Sequence, residues 1–184
     1  MTNDSSGLEE ERFKQLRHHV LEMYVRVEST LRLSLRAIRE RDLVMGRSIP
    51  ASDEVIDSLE LDIDARCLDL LGSFELSEDR LREVMTVLKM VTDLERIADL
   101  AVNISQRGLV LSGGMGIDVP DQVLQMGDLV ADMLRHTADA YVCYEKKLVT
   151  RIKRQDDLVD ALNRQVFEFG IATMQNHPDQ VDRA

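Results

Sequence analysis

The sequence predicts an all-α protein of five long helices, on three observations. Apolar residues recur every three or four positions along most of the chain, the spacing of one face of a 3.6-residue helix. Helix breakers are few, with 9 Gly and 3 Pro in 184 residues, and the absence of Trp and scarcity of aromatics disfavour a sandwich or barrel. The chain also matches itself without a gap at an offset of 103 residues, which makes one helical arrangement serve twice.

Residues 1–7 are small and polar and are expected to fray. The first helix runs from about Leu8 to Met45 on the stripe Phe13, Leu16, Val20, Met23, Val27, Leu31, Leu35 and Ile38, and Gly46 and Pro50 are expected to end it. Ser52 is placed to N-cap a second helix from about Asp53 to Leu71, stopped by Gly72, with Ile56, Leu59, Ile63, Cys67 and Leu70 as its core side. Ser77 reads as the N-cap of a third helix reaching about Leu111, with Leu76 and Leu81 as a hydrophobic staple. Within it, Leu88, Val91, Leu94, Ile97, Ala101 and Ile104 give a broad apolar face, the pattern of a buried central helix. The glycines around Ser112 to Gly116 mark a boundary between a domain over 8–111 and a second over 119–177, leaving 178–184 as a tail. A fourth helix starts near Pro120 and follows Val123, Met126, Val130, Leu134, Thr137, Tyr141, Tyr144 and Leu148. A fifth follows Val159, Leu162, Val166, Phe169 and Thr173. No Gly or Pro fixes the break between these two.

The repeat aligns Val20 with Val123, Met23 with Met126, Val27 with Val130, Leu31 with Leu134, and Leu59 with Leu162. The fourth and fifth helices therefore copy the first and second. A copy of the third would begin near residue 180, so the second half is expected to be short of one helix. Its apolar faces would then stay partly uncovered, which implies either homo-oligomer formation through this half or a truncated chain.

Acidic residues outnumber basic ones 34 to 23, a net charge of −11, so the molecular field repels nucleic-acid phosphates and a nucleic-acid partner is not expected. The N-terminus lacks a basic and an apolar signal region, and no apolar run is long enough to span a bilayer; a cytoplasmic protein without membrane insertion is expected. Cys67 and Cys143 lie far apart and read as reduced thiols.

The residues that carry chemistry are carboxylates. Asp53, Asp57, Glu60 and Asp64 form a row beside the core stripe of the second helix, and Glu95, Asp99 and Asn103 form another on the third. Like charges at such spacing cost a few tenths of a kcal/mol per pair unless a cation stands beside them. If the two helices are antiparallel neighbours, the rows share a seam, and their oxygen-only donors suit a hard ion such as Mg²⁺, Mn²⁺, Ca²⁺ or Fe³⁺. The plainer reading of a charged row is a solvated helix face. The second half keeps Asp156 and Asp160, but Asn163 replaces Glu60 and Phe167 replaces Asp64. The four His lack the spacing of di-iron or zinc helices, and no phosphate-binding Gly-Lys-Ser/Thr loop occurs.

Asp93-Leu94-Glu95-Arg96-Ile97-Ala98-Asp99, followed by Ala101 and Asn103-Ile104, resembles the D-L-E-R-I-G-D-x-A-x-N-I signature of the PhoU family, phosphate-signalling regulators that accompany bacterial phosphate transporters. The likeness extends from about Leu16 to Met174 and departs at Ala98, where the family has glycine; alanine suits a helix interior better. The resemblance implies tandem antiparallel three-helix bundles, here with the second incomplete. It also implies metal ions at Asp53, Asp57, Glu60, Glu95, Asp99 and Asn103, with Asp156 and Asp160 as the remnant of a second site. The function implied is non-enzymatic: negative regulation of phosphate uptake and the phosphate-starvation response, through contacts with a transporter ATPase and a sensor histidine kinase. A metal-dependent enzyme or metal store on a carboxylate-rich bundle, and a generic helical adaptor, are the alternatives.

Overall fold

The structure, a computed structural model, describes residues 2–112, 119–143 and 145–176. Every element among them is helical: α1 Thr2–Glu40, α2 Leu43–Ser48, α3 Pro50–Ser73, α4 Glu78–Ser112, α5 Asp121–Cys143 and α6 Lys146–Asn176. The all-α expectation holds, with one short helix, α2, added to the five long ones.

The first helix ends earlier than Met45. Arg41 takes a left-handed backbone (φ 52°), its N–H bonds the Ile38 carbonyl at 3.2 Å, and the Asp42 N–H bonds the Ala37 carbonyl at 2.9 Å. That pair of bonds is the Schellman termination, formed here around an arginine where glycine is usual. Asp42 then accepts from the N–H groups of Val44 and Met45, both at 2.9 Å, and so N-caps α2. Gly46, expected to end a helix, is buried inside α2. Pro50 opens α3 at the first-turn position where its missing N–H costs nothing, so Ser52 lies within the helix and is not its cap. Ser77 does cap α4, its Oγ accepting from the Arg80 N–H at 3.4 Å. Of the last two helices, α5 ends at Cys143 and α6 begins at Lys146, so Leu148 belongs to α6 rather than to the stripe of the preceding helix, and Tyr144 lies outside the described residues.

The repeat reappears in the helix ends. Glu40 and Cys143 end α1 and α5, and Leu43 and Lys146 begin α2 and α6, each pair 103 residues apart. Where the first copy has Pro50 and splits into α2 and α3, the second has Lys153, and α6 runs on unbroken.

Two compact units result, and they cut across the chain. One comprises Met1–Val27 with Pro50–Leu100, the other Glu28–Ile49 with Ala101–Ala184. The boundaries expected at 8–111 and 119–177 follow chain order, whereas α1 and α4 each contribute to both units. Length accounts for this: at 1.5 Å per residue α1 and α4 run roughly 58 and 52 Å against roughly 36 Å for α3, so their ends outlast their first partner. The N-terminal residues expected to fray continue α1 back to Thr2; the tail at 178–184 and the boundary glycines 113–116 lie outside the described residues.

In the first unit, Arg12 pairs with Asp69 and His19 sits 3.4 Å from Asp62, so α1 and α3 run antiparallel. Arg17 holds Glu83 at 2.6 Å while Arg80 reaches back to Glu10, so α1 and α4 run parallel. Between them Phe13, Leu16, Ile56, Ile63, Val84 and Val91 are fully buried. The second unit joins the end of α1 to α5 antiparallel, through Arg32–Asp132 at 3.1 Å and Arg39–Asp128 at 3.0 Å. Ser105 on α4 donates to the Gly46 carbonyl at 2.9 Å, and buried His136 on α5 meets Gln155 of α6 at 2.9 Å.

Candidate functional site

Both acidic rows fall in the first unit, on α3 and α4. The core residues Ile56, Ile63 and Cys67 on α3, and Val91, Leu94 and Ala98 on α4, turn inward and fix the rotation of each helix. That rotation sets Asp53 and Glu60 half-buried at the flank of α3 and Glu95 half-buried at the flank of α4, with Asp57 and Asp99 more exposed beside them.

The electrostatics show that the rows face each other. Burial, then the charges of Asp57 and Asp99, raise the Asp53 carboxyl above its ordinary range. Glu60 is raised by burial and by Asp64 and Asp57. Glu95 is raised by burial, by Asp99 on its own helix, and by Glu60, Asp57 and Asp53 across the seam. Asp53 feels Asp99 and Glu95 feels Glu60, the register of antiparallel helices. Asp64 belongs to the same patch, since it also contributes, after burial, to lifting the Cys67 thiol to about 11.

Elsewhere in this unit Asp62, Asp69, Glu78 and Glu83 each pair with an arginine. Among the described residues none of Asp53, Asp57, Glu60, Asp64, Glu95 or Asp99 makes an ion pair or a side-chain hydrogen bond. The donor chemistry suits a hard cation. The arrangement is an open row, for among the described residues no three His, Cys, Asp or Glu side chains are gathered tightly enough to hold a metal.

Asn103 is exposed on the part of α4 that belongs to the second unit. Asp156 and Asp160 are likewise in that unit, exposed on α6 and without an ion pair among the described residues. No periodicity marks Arg12, Arg17 and Arg80, yet the structure makes them an ionic cluster with Glu10, Asp69 and Glu83, the Arg80 guanidinium 4.3 Å over the Phe13 ring. Their signal was spread over three helices and had no local spacing.

Removing repulsion from the seam should stabilise the fold. Carboxyls raised in the folded state bind protons more tightly there than in the unfolded chain, so their destabilising effect is absent in acid and grows as pH rises through the raised pKa. Asp53→Asn combined with Glu95→Gln is expected to add about 1 kcal/mol after allowing for solvent screening, roughly 2–4 °C in the unfolding midpoint at pH 7. At pH about 4 the gain should vanish, which a pair of thermal melts decides.

The PhoU domain family model matches residues 20–108 and 123–184. Over 94% of this chain and 79% of its own length, a "Phosphate-specific transport system accessory protein PhoU homolog" from Aquifex aeolicus is 25% identical. One of the same name from Clostridium acetobutylicum is 28% identical over 92% of this chain and 78% of its own. Among solved structures, PhoU from Pseudomonas aeruginosa superposes with a TM-score of 0.89 at 23% identity, covering 95% of this chain and 84% of that one. The phosphate transport system regulatory protein PhoU from Streptococcus pneumoniae gives a TM-score of 0.83 at 23% identity, covering 91% and 79%. Matched along both halves by the family model, and carrying the α4 motif on the helix that forms one wall of the acidic seam, the chain belongs to the PhoU family.

Proposed function

We propose that this protein is a negative regulator of phosphate uptake and of the phosphate-starvation response. It is non-enzymatic and cytoplasmic, and acts by presenting helix surfaces to a phosphate-transporter ATPase and a sensor histidine kinase. The observation that carries the reading is the PhoU-domain match over both halves, supported by the transport-accessory names of the relatives. No helix among the described residues is long and apolar enough to cross a membrane.

The acidic seam supports a bound hard cation. Carboxylates of the row Asp53, Asp57, Glu60, Glu95 and Asp99 would hold it no more than two at a time, the ion supplying the positive charge that no arginine supplies there among the described residues. An open row leaves such an ion several of its waters, as Mg²⁺ prefers. Its effect is mechanical: it removes the repulsion between α3 and α4 and stiffens the seam that partners meet.

The test is genetic and biophysical together. In phosphate-replete medium, deletion of the gene should switch on phosphate-starvation enzymes, and the wild-type chain should restore repression; normal repression in the deletion strain would overturn the regulatory reading. Mn²⁺ titrated into the purified protein should bind at least tenfold more weakly to the Asp57→Ala, Asp99→Ala double variant, a loss of about 1.4 kcal/mol or more. Equal affinity would remove the cation from the proposal. Phosphoester turnover lost in the same variant would move the assignment to an enzyme.

A further inference from the structure

The helices of the first unit meet along three seams whose outer edges differ in chemistry. Where α1 meets α3, Arg12 pairs with Asp69, and where α1 meets α4, Arg17 and Arg80 pair with Glu83 and Glu10. The α3–α4 seam is built otherwise. Its α4 edge is Leu81, Met85, Leu88, Thr92, Glu95 and Asp99, steps of four and three that keep to one side of the helix. Its α3 edge is Asp53, Asp57, Glu60 and Asp64, continued at the same spacing by Leu68 and Leu71. Neither row contains a lysine or arginine; Lys89 and Arg96 follow Leu88 and Glu95 in sequence and so stand about 100° further round α4.

Each edge thus changes character halfway, and like halves meet. The antiparallel register that sets Asp53 against Asp99 carries Leu68 and Leu71 level with Met85 and Leu81. Leu68 is 68% exposed, Met85 48%, Leu81 43% and Leu71 38%, although Leu70 and Val84 beside them are buried in the core. Single exposed apolar residues need no explanation, but four grouped over one seam make a patch that water covers poorly.

Charge then selects the occupant. The carboxylates that continue the patch make no ion pair among the described residues, so a second copy of this chain would bring like charge to the seam, and a nucleic acid or anionic membrane would be repelled. A segment with basic residues at one end and apolar residues at the other matches both halves. From Leu81 to Asp99 the edge runs roughly 27 Å, the length of about five helical turns. The positive N-terminal end of a docked helix belongs over the acids, so its basic residues come first and its apolar residues follow.

We propose that the outer face of the α3–α4 seam docks a basic amphipathic helix of another protein, its leading Lys and Arg residues over Asp57, Glu60, Glu95 and Asp99 and its later apolar residues on Leu68, Leu71, Leu81 and Met85. This rests on the reading of the protein as a regulator that acts through helix surfaces, and names what one surface accepts. The docked helix shares the acids with a hard cation, whereas the apolar half serves the helix alone.

Fluorescence anisotropy with a labelled synthetic helix of about 18 residues tests this, with Lys and Arg confined to its first turns and Leu at helical spacing in the rest. The full chain should bind it with a Kd below about 100 µM, and should bind at least tenfold more weakly a peptide of the same composition with basic and apolar residues mixed along its length. The Leu68→Ser, Met85→Ser double variant should lose at least tenfold in affinity for the first peptide while keeping the wild-type affinity for Mn²⁺. Both side chains are about half exposed or more, so the protomer should keep its fold, which circular dichroism checks. The Asp57→Ala, Asp99→Ala variant should weaken the same peptide from the other half of the face. Absence of binding, equal binding of the mixed peptide, or either double variant binding like wild type would overturn the proposal. So would a dimer in sedimentation that the Leu68→Ser, Met85→Ser change dissociates, since the occupant would then be a second copy. The deletion strain decides the regulatory reading without this peptide, so the two can fail separately.

Discussion

Phe13→Ala should cost the protein about 4 kcal/mol, the largest loss expected from any single truncation of the first unit. Phe13 is 0% exposed in a unit whose Leu16, Ile63 and Val84 are equally buried, and a close-packed core has little room to collapse into the vacated space. The ring has a second role that the cavity figure omits. The Arg80 guanidinium stands 4.3 Å and that of Arg17 5.9 Å from its centroid, and both also bind Glu83. Without the ring, two cations lose an aromatic face worth about 0.5–1 kcal/mol each at partly exposed sites. Phe13→Leu separates the contributions: it restores most of the volume but not the π-face, and should recover more than half of the loss. Denaturant melts of the two variants read this, and a Phe13→Ala loss below about 1.5 kcal/mol would contradict the packing described. Phe167→Ala supplies the contrast from the other copy of the repeat, since at 70% exposure it should leave protomer stability unchanged within about 0.5 kcal/mol.

That contrast shows what the sequence carried and what it did not. The stripes from Phe13 to Leu35 and from Ile56 to Leu70 predicted buried residues because a helix turns its core positions to one side at a fixed period. The acidic rows were legible for the same reason, and Asp53, Asp57, Glu60, Glu95 and Asp99 do share one seam. Periodicity says nothing about partners. It could not show that arginines neutralise Asp62 and Asp69 but leave the seam bare, for Arg12 is 57 residues from Asp69. Nor could it show where a long stripe changes neighbours, and α1 passes from one unit to the other at Val27 without a break in spacing. The end of α1 was misplaced because its C-cap lacks glycine: Arg41 occupies the left-handed position, and only Asp42, as the cap of a short α2, hints at it. Asn103 followed the spacing of its row onto the other unit. In each case the missed information lay between residues distant in sequence, or in a backbone conformation that the residue type does not favour.

Gly127 is such a case, because nothing beside it in sequence explains it. It sits within α5, where glycine costs about 1 kcal/mol relative to alanine, and its counterpart in the first copy is Tyr24. A Cβ at Gly127 would lie 2.9 Å from Leu35 Cγ and closer still to both Cδ carbons. Leu35 is 3% exposed and cannot swing into solvent. Gly127→Ala should therefore be a net loss: the helix-propensity gain of about 1 kcal/mol is outweighed by overpacking of about 1–3 kcal/mol. A double-mutant cycle with Leu35→Ala identifies the cause. Leu35→Ala alone should cost about 2–5 kcal/mol through its cavity, but in the Gly127→Ala background the new methyl group fills part of that space and the overpacking disappears. The two changes together should thus be milder than their sum by at least about 1 kcal/mol, the coupling expected of residues in direct contact. Strict additivity would place the α1–α5 crossing elsewhere, and a stabilising Gly127→Ala would mean that α5 stands further from α1 than Leu35 allows.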